Sequence, residues 1–319
     1  MPTCFYRVFQ EISKCQRMKN FPAFVKSFLI VCCLGLLFSC QPEDEPVNKI
    51  LSSDFIDGVL FLNHSDEGFA IQIPTSTSAK FFPSPSKNTF EIDESGEDFL
   101  ELAPGLYWID VVWENGIPVR ETFPVYITKN KEEAIQTVSA LKKMKTENAG
   151  YAIVLRHTNA TVGEDIVTSP IPQWWKSCDS NVARQLNESG KNNAKKIGDA
   201  IRKLSIPVSS SISSEFCRAV QTFENMALGV NIVQDRRLNH ENESKKLVMW
   251  EDAFQVIKDN PKNDGIVVLV GHYNMYAENP YRTSIRPFNQ SDGFLMRRLP
   301  TGELDFIGSI PIYMWDIFL

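Results

Sequence analysis

The chain has 319 residues, 43% of them hydrophobic and 23% charged, a globular composition with room for about two domains that excludes a disordered or collagen-like chain. Its 39 acidic against 33 basic residues leave a net charge of −6, so no global field draws it to nucleic acid and any anion site has to be assembled locally. No zinc-ligand spacing, glycine-rich nucleotide loop, nucleic-acid motif or internal repeat stands in the sequence, so neither a metal nor a cofactor is expected.

Five of the seven cysteines, Cys4, Cys15, Cys32, Cys33 and Cys40, crowd the N-terminus, so the chain is not a disulfide scaffold. The apolar run 27–38 follows Lys19 and Lys26 and is too short to span a bilayer comfortably, the layout of a signal-peptide core. Leu37-Phe38-Ser39-Cys40 closes it and resembles the bacterial lipobox. That resemblance implies a signal peptide over residues 1–40, a lipidated Cys40, and a mature protein anchored in the cell envelope, at the outer membrane facing the periplasm or the surface. A simple anchor helix is the alternative. Met18 opens a better-proportioned signal than Met1, and residues 41–52, with their acidic run, read as a polar tether.

Residues 53–129 carry short apolar or alternating runs: Val59–Leu62, Phe69–Ile73, Thr89–Ile92, Leu106–Trp113 and Val119–Ile127. Period-two texture predicts strands, and we expect a small all-β sandwich domain. Asn115-Gly116 falls between the last two runs and predicts a hairpin, because these residues tolerate positive φ at little cost. His64, beside Ser65 and Asp66, reads as a surface histidine. No nucleophile is paired with a base in this region, and an adhesive role for it has no residue to argue from.

Residues 130–148 place Ile135, Val138, Leu141 and Met144 at helical spacing and predict an amphipathic linker helix. From 149 to 319 strands alternate with helices, as a parallel sheet with crossover helices requires. Three β-like runs stop at residues of one character: 151–155 at Arg156-His157, 209–212 at Ser213 to Arg218, and 265–270 at Gly271-His272. Ligands in such sheets bind beyond the carboxyl ends of strands. If these strands are neighbours, two arginines and two histidines converge there. With Ser214 as N-cap, Arg218 falls near a helix's first turn, and guanidinium forks beside a helix N-terminus suit phosphate. Between the first two strands, Asn187 predicts the cap of a helix whose stripe Ala194, Ile197, Ile201 and Leu204 covers the sheet.

In order and spacing, Arg156-His157, Gln185-Leu186-Asn187-Glu188-Ser189-Gly190, Ser213 to Thr222 and Val270-Gly271-His272 together resemble the histidine phosphatase (phosphoglycerate mutase-like) superfamily. The resemblance covers 151 to about 275. It implies a three-layer α/β sandwich with a mostly parallel sheet, following the all-β domain, and hydrolysis of a phosphomonoester without a metal. His157 would be the phosphorus nucleophile, with Arg156, Arg218 and His272 holding the phosphoryl oxygens. It also implies that Cys178 and Cys217 form a disulfide beside Arg218, in keeping with an extracytoplasmic location.

Two departures mark this chain. Thr158 stands where the family most often has glycine, and with Asn159 it is a candidate substrate contact. The family's general acid has no clear counterpart, since Tyr273 and Asn274 follow His272; Glu241 is the candidate, with Glu243 and Glu164/Asp165 as alternatives. Trp174, Trp175 and Lys176 form either a rim for the rest of the substrate, Trp175 above all, or a packing cluster. The partners expected are a phosphorylated small molecule and, through Cys40, the membrane, with no nucleic acid. The competing readings are a catalytically weak phospho-ligand-binding lipoprotein, and an adhesion protein acting through the β domain.

Overall fold

A computed structural model describes residues 55–64, 76–83, 90–91, 103–113, 119–148, 150–240, 250–261, 264–276, 280–285 and 288–319. The signal peptide, Cys40 and tether lie outside these residues, as do the run 69–73, the Asn115-Gly116 turn, and Glu241 and Glu243.

In the N-terminal region the strands β1 (Phe55–Ile56), β2 (Val59–Asn63), β3 (Ser76–Pro83), β4 (Phe90–Glu91), β5 (Gly105–Trp113) and β6 (Val119–Thr128) form one sheet in the order β1-β2-β6-β5-β3-β4. β5 and β6 pair antiparallel from Gly105↔Ile127 to Trp113↔Val119, around the position where Asn-Gly predicts a hairpin. β3 has no counterpart in the sequence reading, because Ser-Thr-Ser-Ala-Lys-Phe-Phe-Pro alternates too weakly to announce a strand. The facing sheet of a sandwich is not among the described residues. Instead, one face of this sheet meets a helix.

That helix, α1 (Lys131–Lys143), is capped by the Asn130 side chain and ends at Met144, short of the expected 148. It is more than a linker. Val138, Leu141 and Met144 are buried in a core that takes Val59, Phe61 and Tyr126 from the first sheet and Ile307, Ile310 and Trp315 from the C-terminal part. Each such side chain, fully buried, contributes about 1.5–3 kcal/mol, so the two sheets share one stabilising layer.

The C-terminal part contains β7 (Tyr151–Arg156), α2 (Glu188–Lys203), β8 (Val208–Ser213), α3 (Cys217–Met226), β9 (Ile232–Gln234), α4 (Trp250–Asp259), β10 (Ile266–Gly271), β11 (Gly293–Arg298) and β12 (Leu304–Ile310). Its sheet runs β12-β11-β7-β10-β8-β9; β10 is parallel to β7 and β8, β9 is parallel to β8, and β11 is antiparallel to β7 and β12. Alternate residues enter opposite cores. Ile153, Leu155, Val268 and Val270 face α1, α2 and α3, while Ala152, Val154, Val267 and Leu269 face α4, so the near-continuous apolar strands make a three-layer α/β sandwich.

Two features set the site's frame. The pairings β7–β10 and β10–β8 bring the three functional strand ends side by side. Asn187 caps α2 by accepting from the Gly190 N–H at 2.8 Å, and a Cβ on Gly190 would lie 2.1 Å from the Asn159 carbonyl oxygen. Glycine there lets the first turn of α2 press against the backbone that follows His157. No helix among the described residues is long and apolar enough to cross a membrane.

Candidate active site

His157 follows directly from β7, and its backbone is held on two sides. Its N–H donates to the Gly271 carbonyl at 2.9 Å, and its own carbonyl accepts from Ser291 N at 3.2 Å. Its Nδ1 lies 2.8 Å from the Thr158 carbonyl, and Arg218 Nε donates to its Nε2 at 3.3 Å. A carbonyl can only accept and Arg Nε can only donate, so the proton sits on Nδ1 and the Nε2 lone pair faces outward. Burial first, then the Arg218 guanidinium, holds this imidazole well below its ordinary pKa, against the pull of the Thr158 carbonyl. The ring is therefore uncharged and nucleophilic at neutral pH.

His272, after β10, lies beside it with ring centroids 5.2 Å apart. Ser214 Oγ accepts from Phe216 N at 3.1 Å and lies 2.8 Å from His272 Nε2. A hydroxyl that already accepts from Phe216 N has its one hydrogen to give to Nε2, and in that tautomer the His272 proton stands on Nδ1. That Nδ1 is buried with no hydrogen-bond partner among the described residues, and so is Arg156 Nε. Two orphaned donors beside an open imidazole lone pair fit the oxygens of an anion. The Ser214 hydroxyl thus lies against His272, and the residue preceding helix α3 is Phe216, which makes no side-chain cap, two positions beyond the Ser214 cap expected.

Arg218 is almost wholly buried in the first turn of α3, over the Phe216 ring. Burial pushes it down to about 10, opposed by Asp165, so it stays charged at neutral pH. Asp165 Oδ1 accepts from Arg218 Nη1 at 3.1 Å, and Oδ2 accepts from Arg184 Nε and Nη2, each at 3.0 Å. Arg156 donates to the Phe288 carbonyl at 3.1 Å and stands over Tyr273. Three guanidinium groups, Arg156, Arg184 and Arg218, thus surround two neutral imidazoles with one carboxylate between them. Arg184 is a finding of the tertiary structure: in the sequence it only precedes the helix that Asn187 caps.

Several candidates take other positions. Thr158 packs inside the protein. It is fully buried, and its hydroxyl lies 3.2 Å from Thr222 Oγ1, whose own hydrogen goes to the Arg218 carbonyl. The side chain therefore ties the nucleophile's loop to α3. Asn159 Oδ1 accepts from Asn193 and from Ser291 Oγ, at 3.0 and 2.8 Å, which makes it a brace. Glu164 is exposed. In Asp165, burial pushes the carboxyl up, but Arg218 and Arg184 outweigh it and hold the pKa low, so it carries no proton at neutral pH. Trp174 is buried with Val182, Ala183 and Phe216, whereas Trp175 is half-buried, stacked near Phe216 and donating to Glu215 Oε2 at 3.3 Å. Cys178 and Cys217 are joined by a disulfide, Cα to Cα 5.4 Å.

Two further elements of the site escaped sequence reasoning. Glu215 binds Lys176 Nζ at 2.9 Å, Trp175 Nε1, and both the Asn239 amide and, through its own N–H, the Asn239 carbonyl oxygen Oδ1. It joins three loops around the pocket. The turn 288–292 holds the backbone of Arg156 and His157, with Ser291 at φ 78°. A fully buried serine in that region is strained by about 1 kcal/mol or more. Its only sequence signal is the polar turn cluster Asn289-Gln290-Ser291-Asp292 ahead of an apolar run. Among the described residues no cluster of three or more His, Cys, Asp or Glu is arranged to hold a metal ion.

No protein-family model matches the chain, and no curated protein matches it. Among solved structures it is similar to the protein histidine phosphatase SixA complexed with tungstate, at 14% identity and TM-score 0.37, over 51% of this chain and 97% of that one. It is also similar to a phosphoserine phosphatase mutant from Entamoeba histolytica, at 10% identity and TM-score 0.35, over 51% and 98%. A mycobacterial glucosyl-3-phosphoglycerate phosphatase is similar at 13% identity and TM-score 0.34, over 50% and 98%.

Proposed function

We propose that the C-terminal domain is a phosphomonoester hydrolase that works through a phosphohistidine on His157 and needs no metal. The observation that carries this reading is the polarity of the His157 ring: Nδ1–H to its neighbour's carbonyl, Nε2 outward beside Arg218. Nε2 attacks phosphorus and the ester P–O bond breaks. Arg156, Arg218 and His272 Nδ1–H bear on the equatorial oxygens, and Arg184 adds charge through the shared Asp165. Positive groups fixed in a buried site stabilise the transition state without reorganising, which is the main catalytic term in phosphoryl transfer. Water then attacks the phosphohistidine and releases inorganic phosphate.

The substrate class is a phosphorylated small molecule. The same proposal places the protein in the bacterial envelope on a lipidated Cys40, at the outer membrane; the Cys178–Cys217 disulfide accords with an oxidising compartment. Turnover of an aryl phosphate in chelator, alongside His157→Ala, tests the enzyme. We expect at least a thousandfold loss and, in wild type, radiolabelled phosphate trapped on histidine by alkaline quench. Unchanged turnover in His157→Ala refutes the reading. Metabolic labelling with palmitate, lost in Cys40→Ala, tests the anchor.

A further inference from the structure

Expelling an alkoxide from phosphorus requires a proton donor, and the described carboxylates around the pocket do not hold a proton at neutral pH. Asp165 is held ionised by two arginines. In Glu215 burial pushes the carboxyl up, but the bonds from Lys176, Asn239 and Trp175 outweigh it and lower the pKa. Asp292 is raised to about 6, but its two oxygens accept from Asn289 N and Ile312 N, so it faces the backbone behind Arg156.

A third imidazole stands at the same place. His240 packs edge-on against His272, ring centroids 5.9 Å apart, and it is half-buried where the nucleophile and His272 are closed in. Its approach is fixed by the residues before it. Leu238 is fully buried, the Asn239 side chain bridges both the N–H and the carboxylate of Glu215, and the Asn239 carbonyl accepts from Asn274 Nδ2 at 3.1 Å. The backbone leading into His240 is therefore clamped between the start of α3, which carries Arg218, and the segment after β10, which carries His272. Such double bracing of a half-exposed histidine is how a reacting side chain is held to a narrow geometry.

We propose that His240 is the general acid of the reaction, resting on the phosphohistidine reading above. As His157 Nε2 bonds to phosphorus, the electron pair of the breaking P–O bond goes to the leaving oxygen, which takes a proton from the His240 imidazolium and departs as an alcohol. Neutral His240 then takes a proton from the water that attacks phosphorus; the His157 N–P bond breaks, inorganic phosphate leaves, and the imidazolium is restored. Histidine suits both halves because its ordinary pKa, near 6.5, lets it give and take a proton at neutral pH. The His240 ring meets His272 from the end of β10; Glu215, ahead of α3, is bonded to the neighbouring Asn239, and on the segment before His240 stand Asp235, Arg236 and Arg237, with Arg237 paired to Asp235 and Asp259.

The test compares leaving groups in the full-length protein. In His240→Gln, turnover of an alkyl phosphate such as glycerol phosphate should fall about a hundredfold or more, whereas para-nitrophenyl phosphate, whose leaving group needs no proton, should lose less than about fivefold. The alkaline limb of the alkyl-phosphate pH profile should vanish with the imidazole. Inhibition by vanadate should stay within about threefold, which a merely structural lesion would not respect. Equal losses on both substrates, or no loss on the alkyl ester, overturn the assignment; so does a leaving-group-selective loss in Glu241→Gln with His240→Gln near wild type. His157→Ala run in parallel keeps the two claims apart: if it retains turnover of the aryl ester, the nucleophile reading itself falls.

Discussion

Replacing Cys178 and Cys217 together with alanine opens a loop whose ends lie 39 residues apart. In the chain-entropy account, closing about 40 residues removes roughly 13 cal/mol/K from the unfolded chain, or about 4 kcal/mol at room temperature. In the folded protein the segments on either side of the bridge keep other anchors: the Asp165 pairs with Arg184 and Arg218, the Lys176–Glu215 pair, and Trp174 buried against Phe216. The effect should therefore fall on stability and leave the pocket assembled. Urea unfolding of the protein should show a midpoint lowered by about 1.3–2 M, taking a slope of about 2–3 kcal/mol/M, with KM for an aryl phosphate within about threefold of wild type. Cys178 is exposed, so reductant should reproduce the shift in wild type and do nothing to the double variant. A loss under about 1 kcal/mol would refute the reasoning, since the unfolded chain would then not gain the freedom assigned to it. A large rise in KM at unchanged stability would refute it from the other side, by making the bridge a part of the pocket.

Because burial and Arg218 hold His157 below its ordinary value, the nucleophile stays neutral as pH falls below 6.5. With an aryl phosphate and correction for substrate ionisation, kcat/KM should change less than about twofold between pH 6.5 and about 5.5; a tenfold drop per pH unit would place the nucleophile's titration in that range and contradict the burial argument. Gly190→Ala should cost about 1–3 kcal/mol and lower kcat, because its methyl group would meet the Asn159 carbonyl and displace the backbone after His157; thermal unfolding and kinetics at wild-type stability would expose the error. Asp292 titrates at about 6 in the folded protein against 3.8 ordinarily. The folded carboxyl binds its proton more tightly than the unfolded one, so this residue's contribution is most favourable below pH 3.8 and declines until about pH 6, by about 3 kcal/mol in all. The stability difference between wild type and Asp292→Asn should shift by about that amount between pH 4 and 7, and a constant difference would count against it.

Periodicity and end signals made the C-terminal layers legible: strands Tyr151–Arg156 and Ile266–Gly271 are continuous apolar runs, and Asn187 caps its helix. They are legible because burial and capping are local requirements that a short stretch of sequence must satisfy by itself. The convergence of Arg156, His157, Arg218 and His272 could be anticipated for a related reason: each stands at the end of a parallel strand or on the helix that follows one, and such ends share one edge of the sheet. What each polar group does there was decided only by the fold. Thr158 turns to Thr222 and Asn159 to Asn193 and Ser291, across 34 to 132 residues, and Arg184 comes to the pocket through Asp165, 19 residues before it. A side chain's hydrogen-bond partner depends on which distant segments fill the space beside it, and no local pattern records that. The residue that a pattern calls a substrate contact can therefore be a brace, and one that no pattern singles out can carry charge to the site.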